Sequence, residues 1–362
     1  MGRRTLHLME RLEPGGNAGR MGFLWNEEAC VVSFSPVSEE MRKRFPAAVE
    51  MIRRFPQDPF VCGRLLRFCR EWKPEVIHVW DVRTMEMGIR CAAVCGAKTI
   101  ATLRHIDPWQ KPPRKFFPKM DFLVTHLSAI QQHYESAGCH GNWHIIPDGV
   151  EDWGVSIKEN PLFRVQNPVT HPEKPLWVAC VGPEAVWKRW KWAIWSIDSI
   201  VRLYPNARLW FWGDRHTENI LDSSFLRLQT FARQYERENI VQFGGVVENL
   251  REILPQCSLF WSPQSVPGGG MAILEAMAAG VPVVTTRTEG IHELVPENLA
   301  EFVPVEGETL AIAAASHRIL THREAMLERA LQAQTWVREQ FSVEQLRRNY
   351  DALGEGNTVR KA

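Results

Sequence analysis

The sequence predicts an α/β protein of two domains, each a parallel sheet wrapped by helices. Three observations carry that expectation. Short apolar runs alternate with amphipathic stretches along most of the chain, the pattern of βα units around parallel strands. The 362 residues suffice for two domains. The rhythm lapses once, between Glu159 and Pro175, where the chain is polar and carries Pro161, Pro168, Pro172 and Pro175. That lapse sets the expected boundaries: a first domain over 1–165, a second over 166–340 and a terminal helix over 341–362.

In the first half, Thr5–Met9 reads as a strand ending at Pro14-Gly15-Gly16. Val76–Trp80 is a strand entered from Lys73-Pro74, and Thr84–Val94 a helix. Thr99–Leu103 is a strand, followed by a basic, breaker-rich segment over Asp107–Pro118. Phe122–Thr125 is a strand, Ser128–Ala137 a helix stopped by Gly138, and Trp143–Ile146 a strand ending at Pro147-Asp148-Gly149. In the second half the strands are Leu176–Val181, Arg208–Trp212, Ile240–Phe243, Ser258–Trp261 and Val281–Thr285. The helices are Trp190–Leu203, Ser224–Arg237, Asn249–Leu254 and Met271–Ala279, and Glu308–Leu353 reads as helical throughout.

Composition narrows the class. Hydrophobic residues make up 45% and charged residues 23%, which excludes a disordered chain. The net charge of +1 hides an asymmetry: residues 41–120 hold 17 Lys/Arg against 7 Asp/Glu, so the remainder is acidic. A basic first half suits an anionic partner (phosphate, membrane surface or acidic glycan), or else solvated helix faces. The 15 tryptophans suit either wide, partly polar pockets or core filling. The 8 cysteines form no CxxC pair and read as reduced, buried thiols. No apolar run reaches about 18 residues, and Met1–Leu6 lacks the apolar core of a signal peptide. A cytoplasmic setting is the expectation.

Four segments carry chemistry. The strongest is Gly268-Gly269-Gly270-Met271-Ala272, continuing through Glu275 to Val284. Three glycines let the backbone approach a ligand, and the following helix offers free N–H groups and a positive dipole end to an anion. The helix is apolar nearly all round and should be buried, so Glu275 needs a partner. Either a ribose hydroxyl pair or a neighbouring backbone amide would satisfy it. The second is Gly182 to Lys191, between a strand and a helix. There Lys188 and Arg189 either neutralise a diphosphate or form a solvated basic patch. The third is the turn Gly15-Gly16. The fourth is Arg104-His105-Ile106-Asp107 at a strand end, where His105 either meets a sugar hydroxyl or is structural. There is no D-x-D pair, no G-x-G-x-x-G after a strand, no Walker loop and no G-x-S-x-G. No His/Cys/acid spacing suggests a metal, and nucleic-acid motifs are missing.

Together these motifs resemble glycosyltransferase family 4 across most of the chain. Lys73–Val79 resembles "KPDVIHVH", Ile145–Glu151 resembles "VIPNGVD", and Ala207–Asp214 resembles "LxIvGdG". Phe243-Gly244-Gly245 resembles "FxGxv", Leu274–Val284 is close to "LEAMAxGxPVV", and Gly290–Val295 is similar to "GxxElv". The resemblance implies two facing Rossmann-like domains, the GT-B fold, with a donor cleft between them and a terminal helix crossing back to the first domain. It implies transfer of a hexose from a nucleotide diphosphate sugar to a glycan or lipid-linked acceptor, with retention, without a metal or other cofactor. By position, it makes Glu275 the ribose-binding acid and Lys188 the phosphate-binding lysine. Gly268, Gly269, Gly270, Met271 and Ala272 become the donor loop, and Gly16 the glycine turn facing the donor. His105 becomes the histidine near the transferred sugar.

Three positions depart from the family pattern. The acid expected eight residues before Glu275 is Pro267. The arginine expected after Gly182 is Pro183, for which Arg189 is the nearest stand-in. One extra residue precedes His105, so that either Arg104 or His105 takes the histidine's place. These departures leave a second expectation open, a catalytically impaired nucleotide-sugar-binding protein of the same fold. A third, a sugar-nucleotide epimerase, predicts product without acceptor. Basic stretches with aromatics over Met41–Phe55 and Trp109–Lys119 lead us to expect peripheral contact with an anionic membrane face.

Overall fold

The computed structural model describes residues 3–14, 16–55, 58–104, 106, 111–164, 175–182, 185–213, 224–245, 247, 250–266, 270–306 and 309–355. The chain divides into two compact units, Met1–Asp148 with Glu344–Ala362, and Gly149–Val343.

The first unit is a seven-stranded, all-parallel sheet. Its strands are β1 (Thr5–Met9), β2 (Ala29–Ser33), β3 (Ala48–Glu50), β4 (Val76–Val79), β5 (Lys98–Thr102), β6 (Phe122–Thr125) and β7 (Trp143–Ile145). They lie in the order β3-β2-β1-β4-β5-β6-β7. Periodicity alone assigns neither β2 nor β3. All five residues of β2 are buried, and a parallel strand covered on both faces shows a run, not an alternation. The helix Pro59–Trp72 was also unassigned. Asp58 caps it, accepting from the Phe60 and Val61 amides at 3.1 and 3.4 Å, and Pro59 occupies the first turn.

The second unit is a six-stranded parallel sheet of β8 (Leu176–Val181), β9 (Ala207–Trp212), β10 (Val241–Gly245), β11 (Leu259–Ser262), β12 (Val283–Thr286) and β13 (Glu301–Val303). Their order is β10-β9-β8-β11-β12-β13. Its core joins Val178, Leu209, Phe211 and Trp261 of the sheet to Ile194, Ile197 and Ile200 of the helix Trp190–Leu203 and to Ile319 of the helix Thr309–Thr321.

The units part at Asp148, ahead of the expected break at 165. The reason is packing: Asn160 donates to the Cys257 carbonyl at 2.9 Å, Arg251 donates to the Trp153 carbonyl at 2.9 Å, and Ile157 lies under Gly280. The C-terminal stretch is three helices, Thr309–Thr321, Arg323–Gln340 and Val343–Glu355, instead of one. The break before the last has a visible cause. The Val150 amide donates to the Phe341 carbonyl at 2.7 Å, and Val150 bridges Ser342, so strand-like pairing takes this backbone out of the helix. The last helix then buries Leu346, Tyr350 and Leu353 against Val76, Ile100, Val124 and Ile146 of the first unit.

In each sheet the strand order reverses once, between β1 and β4 and between β8 and β11. Open α/β sheets bind ligands at such a reversal, outside the carboxyl ends of the strands.

Candidate functional site

Two segments leave the second sheet on either side of its reversal. After β8, Gly182 adopts φ +131°, a region closed to most side chains. A Cβ there would lie 3.1 Å from both Cε and Nζ of Lys188, so the bare glycine is what lets the lysine fold back over the turn. Lys188 closes the short turn Val186–Lys188 and is only 4% exposed. Its ammonium sits 5.0 Å over the Trp187 ring and has no hydrogen-bond or ion-pair partner among the described residues. Burial lowers its pKa from 10.5 to about 8, with the Cys180 thiol acting weakly the other way. A buried cation without a counter-charge is costly until an anion arrives.

Arg189 follows in the left-handed region at φ 52°. Its guanidinium donates to the Val305 carbonyl and stacks 4.9 Å over Trp192. Its charge is thus turned toward the chain beyond β13, whereas Lys188 stays uncompensated among the described residues.

After β11, the Ser265 amide donates to the Trp187 carbonyl at 2.8 Å, which ties this segment to the lysine turn. The helix Gly270–Ala278 then begins. A Cβ on Gly270 would meet Leu294 Cδ1, so a larger residue there would have to push the Leu294 side chain aside. Ile273, Leu274, Ala276 and Met277 are buried, while Met271, Ala272 and Glu275 are half-buried on the remaining face. Gly268 and Gly269 lie outside the described residues, as do Pro267 and Pro183. Lys188 and the head of the Glu275 helix therefore stand on the two sides of one reversal, the arrangement suited to phosphate.

The first unit places a different group at its own carboxyl edge. Gly16 opens the helix Gly16–Phe23, and a Cβ there would lie 2.2 Å from Arg104 Nη1. Arg104 is the described side chain beside this glycine. His105 lies outside the described residues. Arg104 donates to one oxygen of Asp148, and Arg20 donates to the other and to the Ile146 carbonyl. All three side chains are buried. Burial alone would raise the Asp148 carboxyl, but Arg104 and Arg20 overcome it and hold the group well below the usual carboxylate range. Behind them Tyr350 stacks 5.5 Å from Arg20 and bonds Thr102 Oγ1 at 2.8 Å, which in turn bonds His78 Nε2 at 2.7 Å. Burial keeps His7 and His78 neutral, lowering His7 to about 3. Sequence reasoning missed Arg20, Asp148 and Tyr350. The breaker Pro147-Asp148-Gly149 after a strand was the one available signal for Asp148.

Residues 175–322 match a family model described as glycosyl transferases group 1. Over that stretch the chain is similar to the family. Among curated relatives, sulfoquinovosyl transferase SQD2 of Arabidopsis thaliana is 30% identical over 271 residues, 68% of this chain and 49% of that protein. N-acetyl-alpha-D-glucosaminyl L-malate synthase of Bacillus anthracis is 27% identical over 129 residues, 36% of this chain and 34% of that one. The chain thus spans half or less of the curated relatives it matches. Solved structures agree in fold over nearly the whole chain. Anabaena Alr3699/HepE in complex with UDP and glucose superposes with a TM-score of 0.82 at 16% identity, over 98% of this chain and 99% of that one. Sucrose-phosphate synthase from Thermosynechococcus elongatus gives 0.75 at 14%, over 98% and 99%. The expected fold class, two Rossmann-like parallel sheets wrapped by helices, is the fold these glycosyltransferases share with this chain.

Proposed function

We propose that this group 1 glycosyltransferase moves a hexose from a nucleotide diphosphate sugar to a glycan or lipid-linked acceptor, with retention and without a metal ion. One observation carries the reading: Lys188 is a buried cation, uncompensated among the described residues, at the strand reversal across from the head of the helix Gly270–Ala278. A diphosphate would supply the missing charge, and the two features would stabilise it as it departs. Glu275 would take the ribose. Gly16, Gly268, Gly269, Met271 and Ala272 would line the donor, with His105 or Arg104 near the sugar. Anabaena Alr3699/HepE, whose structures hold UDP, UDP-glucose and glucose, makes UDP the first nucleotide to try.

Calorimetry with UDP, GDP and ADP and their sugars tests this, with Glu275→Ala and Lys188→Met beside the native chain. Tight nucleotide binding lost in both variants is expected. Unchanged binding in either would remove that residue from the site. Retention is read from the anomeric configuration of the product, and metal independence from activity in a chelator.

Pro267 favours a second reading, a protein of this fold that binds nucleotide sugar but does not transfer it. Consumption of no donor from a broad panel, with acceptors present and nucleotide bound, would select it.

We also propose cytoplasmic work at a membrane face. No helix among the described residues is long and apolar enough to cross a membrane. An interfacial contact has a concrete candidate in the first unit: Ile52, Phe55 and Phe60 are 56%, 52% and 83% exposed. Exposed Arg42, Lys43, Arg44, Arg54, Arg64, Arg67 and Arg70 share that stretch of chain. The second expected stretch is weaker, because Phe117 is core and Phe116 is half-buried.

A further inference from the structure

We infer that Gln264 hydrogen-bonds a hydroxyl pair on the sugar that is transferred, an inference that rests on the donor reading above. Gln264 stands just past β11, at the carboxyl edge beside the reversal. It is 0% exposed, and among the described residues neither its Oε1 nor its Nε2 has a hydrogen-bond partner. Leaving both ends of a carboxamide unpaired in the interior is costly, and folded proteins keep such a group where a ligand or an ordered water completes it. Its backbone is pinned on two sides. Thr286 Oγ1 donates to the Gln264 carbonyl, and the next residue, Ser265, donates to the Trp187 carbonyl at 2.8 Å. The backbone that carries the carboxamide is therefore held beside the turn that bears Lys188. Thr288, buried just past β12, also has a hydroxyl without a partner among the described residues, so the unmet polar groups gather on one edge of the sheet.

The chemistry of the group names its ligand. A carboxamide offers an acceptor oxygen and N–H donors side by side. Two neighbouring sugar hydroxyls, one donating to Oε1 and the other accepting from Nε2, match that pattern. A charged substituent would use only half of it. The family resemblance places an acid eight residues before Glu275, where this chain has Pro267. Gln264 lies three residues ahead on the same segment and carries the polar atoms that Pro267 lacks.

Calorimetry on the full chain with UDP, UDP-glucose, GDP and GDP-mannose tests the inference, because the nucleotide alone lacks the sugar contact. Gln264→Leu keeps the volume and removes both polar ends. The variant should bind the bare nucleotide within about twofold of the native chain and the matching nucleotide sugar about 10- to 100-fold more weakly. Its thermal unfolding without ligand should be unchanged or later, since an unmet polar group has been removed. Gln264→Asn, which keeps the amide but withdraws it by one methylene, should show the same selective loss if Gln264→Leu does not fold. Equal loss for nucleotide and nucleotide sugar overturns the inference, as does no loss for either. Lower stability without selective loss also overturns it and leaves a structural amide completed by water. A native chain that binds no nucleotide would sink the donor reading itself, a result seen before any variant is made.

Discussion

Lys188 carries a cost that a phosphate would remove, and the cost can be measured. Burial depresses its pKa from 10.5 to about 8. Between those values the folded chain releases the proton while the unfolded chain keeps it. The unfolded state then binds more protons, so this group's contribution makes the free protein more stable as pH rises from about 8 to 10.5. Lys188→Met should remove that pH dependence and raise stability near pH 7 by about 1–3 kcal/mol, read from denaturant unfolding. The same variant should lose about 10²–10³ in transfer rate, the usual effect of deleting a charge-stabilising group. A methionine variant less stable than the native chain would mean that the ammonium has a partner. Gly16 makes the opposite kind of residue-scale prediction. Gly16→Ala would drive Arg104 off its seat and should cost about 1–3 kcal/mol. In an Arg104→Ala background that cost should largely vanish, and a double-mutant cycle reads the coupling directly. Lys188 and Gly16 were both visible in the sequence because each sits at a glycine break after a strand. Arg20 and Asp148 were not, because nothing in the local pattern says that residues so far apart will share one buried ion cluster.

At the scale of elements, parallel strands announce themselves when flanked by breakers and hide when they are not. β4 is entered from Lys73-Pro74, and β7 is followed by Pro147-Asp148-Gly149, so both were readable. β2 and β3 lack such punctuation, and β3 has only three residues. The last helix shows a further limit. Its amphipathic pattern was plain, but the break at Phe341 comes from a backbone bond to Val150, a contact distant in sequence. That helix should matter to the first unit in spite of its place in the chain. Leu346→Ala removes a buried side chain from the cluster with Val76, Ile100 and Val124 and should cost about 2–4 kcal/mol. Tyr350→Phe removes only the hydroxyl bonded to Thr102 and should cost about 1 kcal/mol. Hydrogen exchange locates the loss: amides of β4 to β6 should open, while those of β8 to β12 stay protected. Uniform opening of both sheets would contradict the division of the chain at Asp148 and Glu344.

For the whole molecule, the near-neutral net charge conceals a first unit whose exposed basic residues accompany three large exposed apolar side chains among the described residues. The charge asymmetry was readable from residue counts alone. Which aromatics face outward was not, because Phe45 and Phe117 sit in the same basic stretches and are buried, whereas Phe55 and Phe60 are exposed. Exposure gives the proposed membrane contact a concrete face to test against mere solvation. A solvated basic face needs no outward Phe60 at the first turn of a helix, but an interfacial contact uses both the apolar wedge and the cations around it. Each Arg or Lys near an anionic surface contributes about 1 kcal/mol and is screened by salt. The native chain should therefore sediment with phosphatidylglycerol vesicles at low salt, bind less at high salt, and ignore phosphatidylcholine vesicles. Replacing Ile52, Phe55 and Phe60 with serine should abolish vesicle binding and leave UDP affinity unchanged, because these residues lie on the first unit, outside the Lys188 site. Binding that survives the triple replacement but disappears with salt would reduce the contact to charge alone. Loss of UDP affinity in the same variant would place the patch within the donor machinery instead of on a membrane face.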